Sequence, residues 1–212
     1  MKWIAFFILL LGTTFWLSSC SRKLSPEPSC NFVQSEELMR VSWKYKIPIH
    51  IYGHSSLPLD KYPQMESIIR EAIDSWNQIF SKGRPLFQME SFRVDGSSVP
   101  SKDGYSMIYW LKDWDESRLN EQARTTIYWS GAQIFEADIR INAKENINKF
   151  YIGEDENFDG VDFKSLMIHE LGHVLGLAHT DTLNSVMNVS LSDGLNRRQI
   201  SSSDKDSLHC EY

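Results

Sequence analysis

Four side chains whose types and spacing could do chemistry stand together in His169-Glu170-Leu171-Gly172-His173-Val174-Leu175-Gly176-Leu177-Ala178-His179. On a helix, residues four apart share one face, one turn apart, so His169 and His173 can aim their imidazoles at a common point. Histidine nitrogens bind zinc at about 2.0–2.1 Å, and such a pair is half of a tetrahedral site. Gly176 can adopt a positive φ at low cost, which would end the helix and let His179 swing back as a third ligand. Three neutral ligands leave the fourth position for water, the pattern of a catalytic rather than a structural zinc. Glu170, directly after the first ligand, can approach that water without ligating, take its proton near neutral pH and pass it to a departing amine. The chemistry is peptide-bond hydrolysis with one zinc ion as cofactor and Glu170 as general base. Two histidines around a glutamate also arise by chance on helix surfaces. The added glycine and third histidine at fixed offsets inside an apolar run make the full string specific.

The elements that must position these groups follow from periodicity. Ile47 to Tyr52 is a short β-branched and aromatic run ended by Gly53, read as a strand; Pro48 confines it to an edge or a first position. Met65, Ile68, Ile69, Ala72, Ile73, Trp76 and Ile79-Phe80 recur at helical spacing, which predicts an amphipathic helix from Pro63 to Phe80. Phe87 to Val94 and Tyr105 to Leu111 read as strands, and Thr125 to Trp129 with Ile134 to Ile141 as a pair around Ser130-Gly131. Asp162 offers an N-cap to the helix that carries the histidines, and Ser203-Asp204 starts a short C-terminal helix ending near Cys210. Strand, helix, several strands, helix, loop, helix is the order of an α+β domain.

The eleven-residue string matches the metzincin zinc signature H-E-x-x-H-x-x-G-x-x-H at every position. Ser185-Val186-Met187 resembles the Met-turn of that family, with Met187 as an apolar floor under the zinc; read without the resemblance, Met187 is one more core methionine. The residues around the string are most similar to matrixins: Phe163 to Ile168 leads into the zinc helix as in those enzymes, and Ala137 to Asn142 resembles one of their strands. Ala72 to Trp76 is similar to their first helix and Ser203 to Tyr212 to their last. The resemblance implies a twisted mixed sheet above the cleft, an active-site helix and a C-terminal helix, with a protein or peptide substrate lying along the sheet edge. Departures are visible. Val189 stands where a tyrosine ligand occurs in other metzincins, and no proline follows Met187 where matrixins commonly carry one, which leaves the wall of the specificity pocket open.

The N-terminus reads differently. Lys2 precedes the largely apolar stretch Ile4 to Leu17, too short for a spanning helix of about 20 residues and suited to a signal peptide over 1–19. Leu17-Ser18-Ser19-Cys20 resembles the bacterial lipobox, which implies lipidation of Cys20 and anchoring of the mature chain in the cell envelope. Residues 20–40, rich in serine and proline, read as a lipidated N-terminus and flexible tether, leaving 41–212 as the peptidase domain. Three cysteines are present. Cys30 and Cys210 could form a disulfide in an oxidising compartment, worth about 4–5 kcal/mol for so long a loop in the chain-entropy model. Two free thiols are the alternative, and Cys30 as a zinc-blocking ligand ranks below both because Pro28-Ser29-Cys30-Asn31 is not the matrixin propeptide motif. Asp155, Glu156, Asp159 and Asp162 form an acidic loop that reads as solvated rather than as a second metal site. The formal net charge of -6 and the absence of any basic run argue against nucleic acid. A membrane-tethered monomeric endopeptidase is the reading that absorbs most of these features. A catalytically idle metzincin-fold binding module would have no need of Glu170, and an envelope lipoprotein using metal for stability alone would have no need of an open coordination position.

Overall fold

A computed structural model describes residues 30–80, 83–97, 101–145, 148–155 and 158–212. The expected signal peptide, Cys20 and residues 21–29 of the expected tether lie outside the described residues, as does Glu156 of the acidic loop. The elements are β1 (Ile49–His54), α1 (Met65–Gln78), β2 (Phe87–Val94), β3 (Ser106–Leu111), β4 (Ala123–Ser130), β5 (Gln133–Asn142), the short β6 (Phe150–Tyr151) and β7 (Val161–Asp162), α2 (Phe163–Val174) and α3 (Ser202–Leu208). The five long strands form one mixed sheet in the order β2-β1-β3-β5-β4. β1, β2, β3 and β5 run parallel, and β4 is antiparallel to β5 at the sheet's edge. Sheet above and helices below give the α+β class expected from the element order.

Burial explains the layering. Met65, Ile68, Ile69, Ala72, Ile73 and Trp76, the apolar stripe of α1, are all buried, and they pack with Ile49, Ile51, Ile108, Ile139 and the apolar face of α2 into one core. Trp76 is wholly buried, and its indole N–H donates to the Ile168 carbonyl at 2.9 Å. A tryptophan buried in this way needs such a partner, and this one locks α1 to α2. Pro48 precedes β1 directly, so β1 takes an interior place in the sheet without losing a ladder donor; the first-position alternative holds and the edge alternative does not.

The tether needs correcting. Residues 30–40 were expected to be flexible, yet Phe32 is only 5% exposed. It bridges Leu177, and its ring centroid lies 6.2 Å from that of Tyr212. The Val33 amide donates to the Gly176 carbonyl at 2.9 Å, and Arg40 pairs with Glu211. One large apolar side chain in a polar stretch is enough to dock the segment when a complementary site exists, so residues 30–40 pack against the domain rather than hang free of it. Cys30 is joined to Cys210 with Cα atoms 5.9 Å apart across a sequence separation of 180. The thiol is committed to that bond and is not a zinc-blocking ligand.

Candidate active site

α2 starts where Asp162 caps it, its carboxylate accepting from the Ser165 amide at 3.0 Å. Arg198 pairs with the same carboxylate at 2.6 Å, which leaves no unpaired charge under the helix. Gly172 lets α2 come close to its neighbours: a Cβ there would stand 2.2 Å from the Met187 sulfur and 3.0 Å from the Trp76 ring. The helix ends in a Schellman turn. The Leu177 amide reaches the Gly172 carbonyl at 3.1 Å, and the Gly176 amide reaches the His173 carbonyl at 2.9 Å. Gly176 carries the φ of +96° that this turn requires, and His179 is brought back beside His169 and His173.

The three Nε2 atoms form a nearly equilateral triangle. The separations are 3.1 Å between His169 and His173, 3.0 Å between His173 and His179, and 3.2 Å between His179 and His169. The His169 Nδ1 lies 2.7 Å from the Val186 carbonyl and the His173 Nδ1 lies 2.8 Å from the Leu177 carbonyl. A carbonyl only accepts, so each Nδ1 carries its ring's proton and each Nε2 presents a lone pair. Burial pushes His169 and His173 down to about 4, the neighbouring imidazoles adding to the effect, and burial lowers His179 as well. Neutral rings with convergent lone pairs are what a metal needs. Tetrahedral zinc with bonds of about 2.0–2.1 Å separates its ligand nitrogens by about 3.3 Å, within a few tenths of the observed triangle. The set can hold a metal ion, and its all-imidazole chemistry suits zinc.

Glu170 points its carboxylate into the same cleft wall and is 4% exposed. Burial raises its carboxyl, opposed by His173 and by a hydrogen bond from Thr125. The Thr125 hydroxyl donates to Oε2 at 2.6 Å. Met187, 1% exposed, lies beside Gly172 of α2, in a turn held from α3. Asp204 accepts from the Ser185 hydroxyl and from the Val186 amide at 3.0 Å. The Val186 carbonyl in turn orients His169. The N-terminal strap does the same for the third histidine. Asn31 donates to the Ala178 carbonyl at 2.6 Å and the His179 carbonyl at 3.1 Å, and the Ala178 amide returns a bond to the Asn31 carbonyl at 3.0 Å.

A cleft of about 660 Å³ opens over this constellation, between β4 and the segment 188–191. Asn188, Val189, Ser190 and Leu191 line the cleft where matrixins commonly carry a proline after the Met-turn methionine. The segment is pinned by Gln122 donating to the Leu191 carbonyl at 3.0 Å and Arg197 to the Ser190 carbonyl at 2.9 Å. In the acidic loop, Asp155 bonds Tyr151, Asp159 pairs with Lys149 and Asp162 with Arg198. These carboxylates are already engaged.

The sequence-predicted histidines, Glu170 and Met187 are thus brought together. Thr125, Asp204 and Asn31 were not foreseen. For Asp204 a signal existed: Ser201 stands three residues before it, and the two form the capping box of α3. For Thr125 and Asn31 nothing in the local sequence pointed to the site, because both reach it from elements distant in the chain. No curated protein matches the chain. The matrixin family model matches residues 58–212. A match over that span takes in β2 to β5 of the mixed sheet, the histidine-bearing helix and the turn that carries Met187, and the chain belongs to the matrixins, a family of zinc metallopeptidases.

Proposed function

We propose that the protein is an exported endopeptidase that hydrolyses protein or peptide substrates, with His169, His173 and His179 holding zinc and Glu170 acting as general base. The observation that carries this reading is the triangle of Nε2 atoms within 3.2 Å of one another, on the floor of a cleft that Glu170 also lines. The free edge of β4 forms the upper rim, and an extended substrate can pair with it as a further strand. Zinc, when bound, supplies a Lewis acid that polarises the scissile carbonyl and lowers the pKa of water. Glu170 takes a proton from the attacking water as its oxygen bonds to the carbonyl carbon. It then delivers that proton to the amide nitrogen as the C–N bond breaks, leaving a carboxylate and an amine. Burial keeps His169 and His173 neutral, and the bonds from their Nδ1 atoms to backbone carbonyls fix the ring orientation. Met187 contributes an apolar floor that keeps water out from beneath the rings.

The zinc-loaded protein, tested against an unbiased peptide library, is expected to cleave internal bonds. Zinc bound one per chain without any cleavage would favour an idle binding module, and failure to bind zinc would overturn the assignment. The envelope location rests on Leu17-Ser18-Ser19-Cys20. Among the described residues no helix is long and apolar enough to cross a membrane. In this reading the anchor is the lipid on Cys20, and the domain acts as a monomer. Cells fed labelled fatty acid are expected to label the wild type but not Cys20→Ser; equal labelling, or none in either, would remove the anchor.

A further inference from the structure

The edge strand that faces the substrate also reaches the base. Side chains alternate along a strand, and Ala123, Thr125 and Ile127 of β4 all line the cleft over α2. Thr125 is held in register by its pairing with Ile139 of β5. Its Oγ1 lies 2.6 Å from Glu170 Oε2 and 3.2 Å from the Glu170 carbonyl oxygen. An ionised carboxylate and a carbonyl can only accept, so the single hydroxyl proton serves one of them, and the nearer, charged oxygen wins. Among the described residues, none but Thr125 donates to that carboxylate. The terminal torsion of a glutamate is soft, so without this bond the carboxylate could rotate within its wall.

We infer that Thr125 is a positioning residue for Glu170: by occupying Oε2 it fixes the carboxylate plane and leaves Oε1 as the oxygen that exchanges the proton. This rests on the assignment of Glu170 as general base. Because Thr125 belongs to the strand whose free edge takes the substrate backbone, the strand that aligns the peptide also aligns the base.

The test uses the full chain with Thr125→Val, which keeps the shape and removes the hydroxyl, and Thr125→Ser, which restores it. In the zinc-loaded protein, Thr125→Val is expected to lower kcat by about ten- to a hundredfold. KM should change by less than about twofold, zinc stoichiometry should stay at the wild-type value, and Thr125→Ser should recover most of the rate. In metal-free protein, Thr125→Val is expected to lower Tm by about 3–6 °C in the wild-type background and not at all in a Glu170→Ala background. Wild-type kcat in Thr125→Val, equal losses in the valine and serine variants, or the same Tm shift in both backgrounds would each overturn the inference. If the wild type cleaves no peptide, the proposed function fails instead, and the metal-free melting comparison alone decides whether Thr125 holds Glu170.

Discussion

Glu170→Gln is expected to lower kcat by about 10²–10⁴-fold while the protein still takes up one zinc per chain. Glutamine keeps the length and planarity of the side chain and can still accept a hydrogen bond from Thr125, whose hydroxyl lies 2.6 Å from the carboxylate. What it lacks is an oxygen basic enough to take a proton from water. The three Nε2 atoms come from other residues, so the ligand set is untouched. Stability should not fall either. Burial already disfavours the charged form of Glu170, and a neutral amide in the same place escapes that desolvation cost. The check is kcat on a single peptide, together with metal content and Tm of the same preparation. A variant with wild-type kcat would remove Glu170 from the chemistry, and a variant that has lost its zinc would assign Glu170 to holding the metal.

The largest expected loss of stability comes from Gly176→Ala. At a φ of +96° an alanine is strained wherever it sits, by about 1–2 kcal/mol. Its Cβ would also stand 2.2 Å from the Val41 carbonyl oxygen, a backbone atom that cannot rotate aside. Overpacking of that kind adds about 1–3 kcal/mol, so the total is expected to be about 3 kcal/mol. Gly83 provides the control, with a φ of +82° and nothing within 4 Å of the added atom; Gly83→Ala should show only the conformational part. The second readout is metal affinity. The turn after Gly176 supplies the Leu177 carbonyl that orients His173 and leads directly into His179. Displacing it should weaken zinc binding by about 10–100-fold, the usual effect of disturbing groups that orient a ligand. Denaturant midpoints and chelator competition measure the two effects. Equal stability losses at Gly176 and Gly83 would show that the contact with Val41 carries no weight.

Much of the fold was legible because its elements announce themselves locally. The stripe from Met65 to Trp76 buries as its spacing requires. Phe87–Val94 matches its strand residue for residue, and Asp162 caps α2 as its side chain allows. The ligand triangle was legible for the same reason, since one helix and its terminating turn carry all three histidines. What could not be read is what crosses the chain. Phe32 in a serine- and proline-bearing segment gives no periodic signal, and only the assembled surface around Leu177 and Tyr212 makes it a core residue. Thr125 is one β-branched residue among several in its strand, and Asn31 one polar residue in an apparent linker. Their partners lie 45 and 147 residues away. Local propensity carries no information about contacts made at such separations.

The bond between Cys30 and Cys210 also sets how the molecule responds to being cut. Nearly every described residue lies between those two cysteines, so the chain from Cys30 to Cys210 is a closed covalent loop. A peptidase meets copies of itself, and stretches such as 95–97 and 101–105 are exposed. One scission anywhere inside the loop opens it into a line without releasing a fragment. Both ends of the cut stay attached through the disulfide, and the sheet and helices can keep the cleft assembled across the break. A nicked molecule therefore keeps its two pieces joined even when denatured, and they part only when the disulfide is reduced and the fold is undone.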